Sequence, residues 1–231
     1  MTIDHHILVE TGRAIIRRES AALKALPDQL GSSFAELVSM IAAAPGKVIT
    51  SGVGTSGIMA ERLAHLLAVS GTPSFYLPCL DALHGGMGAV TEGDTLIAFS
   101  KGGRSSELTQ LAERLVERGH PVVAVTEQPD SPFAQAASRV ITVRTDPADA
   151  DLGTLLATGS TLVVGAWGDA LAGTLMALRG SDWAEVIDVH PGGSVGAQSD
   201  LPEPLQFHED ASHPDASQTL EADDDQGVPR T

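Results

Sequence analysis

Two short stretches rich in glycine and hydroxyl residues offer the clearest chemistry in this 231-residue chain. The first, Gly52-Val53-Gly54-Thr55-Ser56-Gly57, lies between the apolar run KVIT and the helical pattern MAERLAHLLAVSG. The second, Ser100-Lys101-Gly102-Gly103-Arg104-Ser105-Ser106-Glu107, lies between TLIAF and LTQLAERLVERG. A turn with free backbone N–H groups, hydroxyl donors and a helix N-terminus behind it suits a phosphate or similar anion. The first stretch also satisfies G-x-G-x-x-G, the dinucleotide fingerprint. That reading wants an acidic residue closing the second strand, where SFYL runs instead into Pro78-Cys79-Leu80 and Asp81 comes late. Dinucleotide folds do not need the second cradle. Together the two loops point to one anionic ligand, with Gly54, Thr55, Ser56, Ser100, Lys101, Gly102, Gly103, Arg104 and Ser105 as binding candidates. Lys101 and Arg104 make the second loop basic, and an arginine there can pair bidentately with phosphate, carboxylate or sulfonate.

The elements that must carry these loops are legible in the apolar pattern. Runs of four to six apolar residues at about 47–51, 74–77, 95–100, 121–126 and 139–144 alternate with amphipathic helical stretches. Strands buried on both faces read as continuous apolar runs, so this alternation predicts an α/β fold. The expected architecture is a doubly wound, five-stranded parallel sheet flanked by helices. In such a sheet ligands bind beyond the carboxyl ends of the strands, where both loops fall. Residues 1–45 read as N-terminal helices, and 46–197 as the ligand-binding α/β domain. A further helix is expected over 158–178.

Composition narrows the classes of partner. Lys and Arg number 14 against 30 Asp and Glu, a net charge of −16. Nucleic-acid affinity rests on neutralising phosphates with basic side chains, and anionic membranes repel an acidic surface, so neither partner is expected. Residues 199–231 hold nine acidic residues and one basic one, half of the net charge, with few apolar groups. The segment 198–231 therefore reads as a disordered acidic tail. Cys79 is the only cysteine, so an internal disulfide is impossible and a cysteine-based zinc site is not expected. A single cysteine is usually buried and inert. His5 and His6 are sequence neighbours and do not face one another on a helix, so they are not a metal pair. No signal-peptide pattern or bilayer-length apolar run is visible, and the expected compartment is the cytoplasm.

Across about residues 10–196 the chain resembles the sugar isomerase (SIS) domain family, and within it the arabinose 5-phosphate isomerases. The stretches that carry the resemblance are GVGTSG, the run from Thr72 through SKGGRSSE, VVAVTEQPDSPFAQAASRVI, GDALAGTLMALRG and VIDVHPGGSVG. His84 in ALHGGMG and His190 in HPGG are its most specific marks. The resemblance implies a sugar phosphate held by the two loops and interconversion of aldose and ketose. It implies homodimers or homotetramers with active sites shared between subunits. Many isomerases of this branch carry a CBS pair after the HPGG segment; here the acidic tail stands in its place, and no such module is expected. The chain departs from the family in its loops. Thr55 stands where the family has Lys, and SKGGRSSE replaces S-N-S-G-E-S-S-E, which puts Arg104 at the family's Glu. A further family Glu precedes a Leu-Gly pair. Near Leu152-Gly153 this chain offers Asp146, Asp149 and Asp151, of which Asp149 is the catalytic candidate.

Aldose–ketose interconversion moves a proton between C2 and C1 through an enediolate. It needs a base of near-neutral pKa, a proton source and a distant anchor, and no redox cofactor or metal. Histidine titrates in that range, which makes His190 the first candidate for base or ring-opening catalyst and His84 the second. The alternative is a sugar-phosphate-binding or regulatory protein that kept the cradle and lost part of the chemistry.

Overall fold

The computed structural model describes residues 4–180, 182–203 and 205. Five parallel strands, β1 (Val48–Gly52), β2 (Ser74–Tyr76), β3 (Thr95–Phe99), β4 (Val122–Thr126) and β5 (Arg139–Thr142), form one sheet in the order β2-β1-β3-β4-β5. Each lies within two residues of its apolar run in the sequence. The order reverses between β1 and β3, whose registers align Val48 with Thr95 and Gly52 with Phe99. That is the switch point at which doubly wound sheets open a crevice.

Alternation along each strand divides the interior into two layers. Ile97, Phe99, Val123, Val125 and Ile141 face one side, where α1 (His5–Ala25), α2 (Ser32–Ala43), α3 (Thr55–Val69) and α7 (Gly159–Arg179) pack. Leu96, Ala98, Val122 and Ala124 face the other, against α4 (Cys79–Leu83), α5 (Ser106–Glu117) and α6 (Pro132–Ala136). Helix α5 shows why: Leu108, Leu111, Ala112 and Leu115 recur at i, i+3, i+4 and i+7, and all four are buried. On the first side Trp167 of α7 is buried between Phe34 and Phe99, edge-on to both at centroid distances of 6.4 and 6.0 Å.

The glycines of α7 have a packing reason. A Cβ at Gly165 would lie 2.9 Å from Met59 Cε of α3. The bare backbone lets the two helices approach, and Arg62 of α3 donates to Gly165 O (3.2 Å) and to both oxygens of Asp169 (2.5 and 3.0 Å). By length and composition α7 could cross a bilayer; in the fold it is a core helix that packs on α1, α2 and α3.

The stretch after β2 folds as α4 and a 3-10 turn, Gly86–Ala89. Two short helices that the pattern does not predict, α8 (Trp183–Asp188) and α9 (Gly193–Gly196), follow α7. Of the acidic segment 198–231 only 198–203 and 205 are described, so the expectation of a disordered tail lies almost wholly outside the described residues. Within them, Trp183 Nε1 donates to Glu203 O at 2.9 Å.

Candidate functional site

Three strand ends and two helix starts surround a small cavity at the switch point. Thr55, Ser56 and Met59 of α3 form one wall. Phe99, Ser100 and Lys101 come from the end of β3, and Val125, Thr126 and Glu127 from the end of β4. Val143 and Thr145 follow β5, and Ala157, Ser160, Thr161, Val163 and Val164 lie at the start of α7. The N-termini of α3 and α7 both open here, with hydroxyls in their first turns. At α3 the unpaired first N–H groups and the positive end of the helix dipole favour an anion, whereas at α7 the first N–H groups are held by Asp151 and the hydroxyls of Ser160 and Thr161 are what face the cavity. The β-branched and aromatic lining supplies the apolar remainder.

Three charged side chains meet at this cavity. Lys101 Nζ lies 2.5 Å from Asp151 Oδ2 and 3.8 Å from Glu127 Oε1. Asp151 is 2% exposed. Its Oδ1 accepts from the N–H groups of Thr158 (3.0 Å) and Ser160 (2.8 Å), so it caps α7 from outside the helix. Burial opposes ionisation of Asp151, but the hydrogen bonds from Lys101 and Ser160 outweigh it and hold the carboxyl below its ordinary value. Glu127 Oε1 accepts from Thr145 N–H (3.0 Å) and Thr145 Oγ1 (2.5 Å).

Of the residues the sequence singles out, Thr55, Ser56, Ser100 and Lys101 are brought together in the cavity wall. Gly54 is adjacent, at φ +58° where the chain turns into α3. Gly102, Gly103, Arg104 and Ser105 are not part of the wall. Gly103 accounts for the divergence. Its φ is +61°, its N–H donates to Ser100 O (3.2 Å), and a Cβ would overlap Ser131 Oγ. The loop is pinned against Ser131 and leads away from the cavity. Arg104 is exposed and makes no ion pair among the described residues. The α5 N-terminus beyond it is already served by its own Glu107, whose Oε2 accepts from Ser106 Oγ (3.2 Å) and Ser105 Oγ (3.4 Å).

The carboxylate expected at Asp149 is displaced by two residues. Ala148–Ala150 forms a 3-10 turn that leaves Asp149 at the surface, 3.7 Å from Arg18. Asp151 is the one that turns inward. His84 caps the C-terminus of α4 and is exposed. His190 Nδ1 lies 2.6 Å from Val186 O, and its ring packs edge-on against His65 of α3 at 6.4 Å. His65 lies nine residues beyond Ser56, about 13 Å along the helix axis. Neither histidine lines the cavity of its own chain. Cys79 is buried, and burial together with the charge of Glu107 pushes its thiol up to about 11, which keeps it protonated. Among the described residues no group of three His, Cys, Asp or Glu side chains could hold a metal ion.

Sequence reasoning misses Glu127, Thr145, Ser160 and Thr161. Glu127 directly ends an apolar strand, and strand ends are where ligands bind, so its position is the signal that could have found it. Thr158-Gly159-Ser160-Thr161 opens a long helix with hydroxyls, the same pattern that marks the first loop.

Comparison with known proteins places the same stretch at the centre. Residues 40–168 match the SIS domain model. The arabinose 5-phosphate isomerase GutQ of Shigella flexneri is 34% identical over 193 residues, 83% of this chain and 59% of that protein. The arabinose 5-phosphate isomerase KdsD of Pseudomonas aeruginosa is 32% identical over 188 residues, 81% of this chain and 57% of that protein. The chain thus spans less than two thirds of the length of these curated relatives. Two solved structures match over their whole length. A Listeria monocytogenes chain is 31% identical with TM-score 0.78, covering 83% of this chain and 100% of that one. An Escherichia coli CFT073 protein in complex with arabinose 5-phosphate is 29% identical with TM-score 0.76, covering 82% and 100%. Every residue of the cavity wall, from Thr55 to Val164, falls inside the matched 40–168, and the chain belongs to the SIS domain family.

Proposed function

We propose that the chain is an aldose–ketose isomerase that acts on a sugar phosphate, arabinose 5-phosphate or a close relative, through an enediolate. One observation carries this reading. The N-terminus of α3 with Thr55 and Ser56, and the hydroxyls of Ser160 and Thr161 at the start of α7, face the same cavity as an ammonium and a carboxylate. The first set suits a phosphate, and the second suits a reaction that moves protons without redox change. The names of the two relatives, and the arabinose 5-phosphate complex of a third protein, support the substrate class.

The site is completed by a second copy of the chain. Leu155 is 92% exposed, and Ile58, Leu156 and Leu162, which adjoin cavity residues in sequence, are also exposed. Exposed apolar side chains of this kind mark an association surface. A homodimer or homotetramer that covers it can carry His190 of one chain to the cavity of another, where it catalyses ring opening.

The test is turnover by the full chain with no added cofactor. Arabinose 5-phosphate, ribose 5-phosphate, glucose 6-phosphate and mannose 6-phosphate are incubated in D2O, and exchange at C2 is followed by NMR. His190→Ala is expected to lower kcat by about 10²–10⁴-fold with phosphate affinity little changed. A second reading, a sugar-phosphate-binding regulator, draws on Thr55 and Arg104, which stand where the family has Lys and Glu. Binding without exchange for every sugar in the panel would establish it in place of the first.

A further inference from the structure

Glu127 and Asp151 are both carboxylates beside Lys101, but their oxygens are committed differently. Asp151 is buried and engaged through both oxygens: Oδ1 holds two backbone N–H groups at the start of α7, and Oδ2 holds the Lys101 ammonium. It does not line the cavity, so its work is to position Lys101. Glu127 is anchored through one oxygen only. Thr145 N–H and Oγ1 both bind Oε1, which fixes the plane of the carboxylate. Its Oε2 accepts no hydrogen bond among the described residues. The Glu127 side chain is 19% exposed and lines the cavity. Lys101 is 38% exposed, and Asp151 takes one of its three N–H donors.

We propose that Glu127 is the general base of the isomerisation and Lys101 its electrophilic partner, a proposal that rests on the isomerase reading above. Glu127 Oε2 takes the C2 proton of the open-chain aldose. The C2–H electron pair becomes the C1–C2 double bond, and the carbonyl pair moves onto O1, whose developing charge meets the Lys101 ammonium. Lys101 gives O1 a proton and recovers one from the C2 hydroxyl. The double-bond pair then takes the proton back from Glu127 at C1. The product is a ketose with a C2 carbonyl and a C1 alcohol, and both side chains return to their starting state. Within one chain the other candidates lie away from the cavity, and geometry is the first requirement for a base; His190 of a second copy is assigned to ring opening. Asp149 is at the surface beside Arg18, His84 is exposed at the end of α4, and His190 lies beside His65.

The experiment uses the full chain, arabinose 5-phosphate and any other panel sugar that wild type exchanges. Deuterium entry at C2 is read by NMR, and affinity by calorimetry. Glu127→Gln keeps the shape and an oxygen for Thr145. It is expected to bind within about threefold of wild type while exchange falls by about 10²–10⁴-fold. Glu127→Asp, which keeps the charge but withdraws it, is expected to lose about 10–10²-fold at unchanged affinity. Formate is expected to restore exchange to Glu127→Ala, which a merely structural residue would not allow. Exchange by Glu127→Gln within tenfold of wild type would overturn the assignment and leave the isomerase reading intact. So would full-rate exchange by Glu127→Asp, which decides the matter if the Gln variant does not fold. A wild type that binds the panel without exchanging any member overturns the isomerase reading and the base assignment together.

Discussion

The sheet carries a lysine–aspartate pair at each of its two rims, and the two pairs are used differently. At the rim where the strands begin, Asp94 is 1% exposed and accepts from Lys47 Nζ (2.6 Å), Lys47 N–H (2.9 Å), Thr91 N–H (2.7 Å) and Thr91 Oγ1 (3.0 Å). Lys47 donates a further bond to Thr91 Oγ1. Every group there closes on a neighbour in sequence or register, and the result ties β1 to β3. At the rim where the strands end, Lys101 and Asp151 form the same chemical pair at the same depth. Here the lysine also faces Glu127 and an open cavity. The difference is not in the strength of the pair but in what remains unspent around it. A buried carboxylate that fixes a lysine facing a cavity creates a positioned cation; one whose lysine is also tied to a neighbouring hydroxyl, away from that cavity, creates a clamp.

Removing each lysine separates the two roles. Lys101→Met is expected to lower kcat/KM by at least about 10²-fold and to destabilise by about 1–3 kcal/mol, because it strips Asp151 Oδ2 of its partner. Lys47→Met is expected to cost similar stability and leave kcat/KM within about twofold, since it touches nothing at the cavity. Steady-state kinetics with urea unfolding on both variants checks this. Equal activity losses would break the distinction between cation and clamp.

The next effect lies in acid. Burial opposes the charge on Asp94, but its bonds to Lys47 and Thr91 prevail and hold the carboxyl at about 2, against an ordinary value near 4. A depressed folded value means that this contribution is fully present above about pH 4 and is lost as pH falls toward 2. It amounts to roughly 2 kcal/mol. Urea midpoints measured from pH 5 to 2.5 should fall more steeply for wild type than for Asp94→Asn. Parallel curves would show that Asp94 carries no such linkage.

The smallest effect belongs to neither rim. Truncation after Gln198 removes the Trp183–Glu203 hydrogen bond and much of the chain's acidity. It is expected to change stability by less than about 1 kcal/mol, with a cooperative melt retained. Loss of a cooperative transition would show that the acidic segment contributes to the fold as the two ties do.

The strands are readable in the sequence because burial on both faces demands a continuous apolar run, as in TLIAF and VVAVT. The first loop is readable because glycines and hydroxyls clustered at a strand end are what an anion cradle requires. Three features are not readable. Asp149 and Asp151 differ only in which side of a 3-10 turn they occupy, and an irregular segment has no periodicity to reveal that. Ser105 has the composition of an anion cradle, but Glu107 of its own helix competes for the same donors, and sequence cannot rank a ligand against an internal acceptor. Glu127 can be flagged by its place after a strand, but its role cannot be read there, because that depends on Thr145, 18 positions away in the chain.

The parallel order of the sheet has a bearing on how such a site changes over generations. Most of the cavity wall hangs from the ends of different strands, and the paired registers of β1, β3, β4 and β5 end before the wall residues Lys101, Glu127 and Thr145, with Glu127 N–H to Lys101 O as the main-chain bond that links two of them. A mutation at one strand end can therefore alter one wall while the sheet keeps its register. Lys101, at a position where the resemblance implies an asparagine, would be a change of this kind. A lineage can thus pass between substrates one loop at a time, through intermediates that all fold. Libraries randomised at single strand ends should accordingly yield folded proteins far more often than libraries randomised along a single strand.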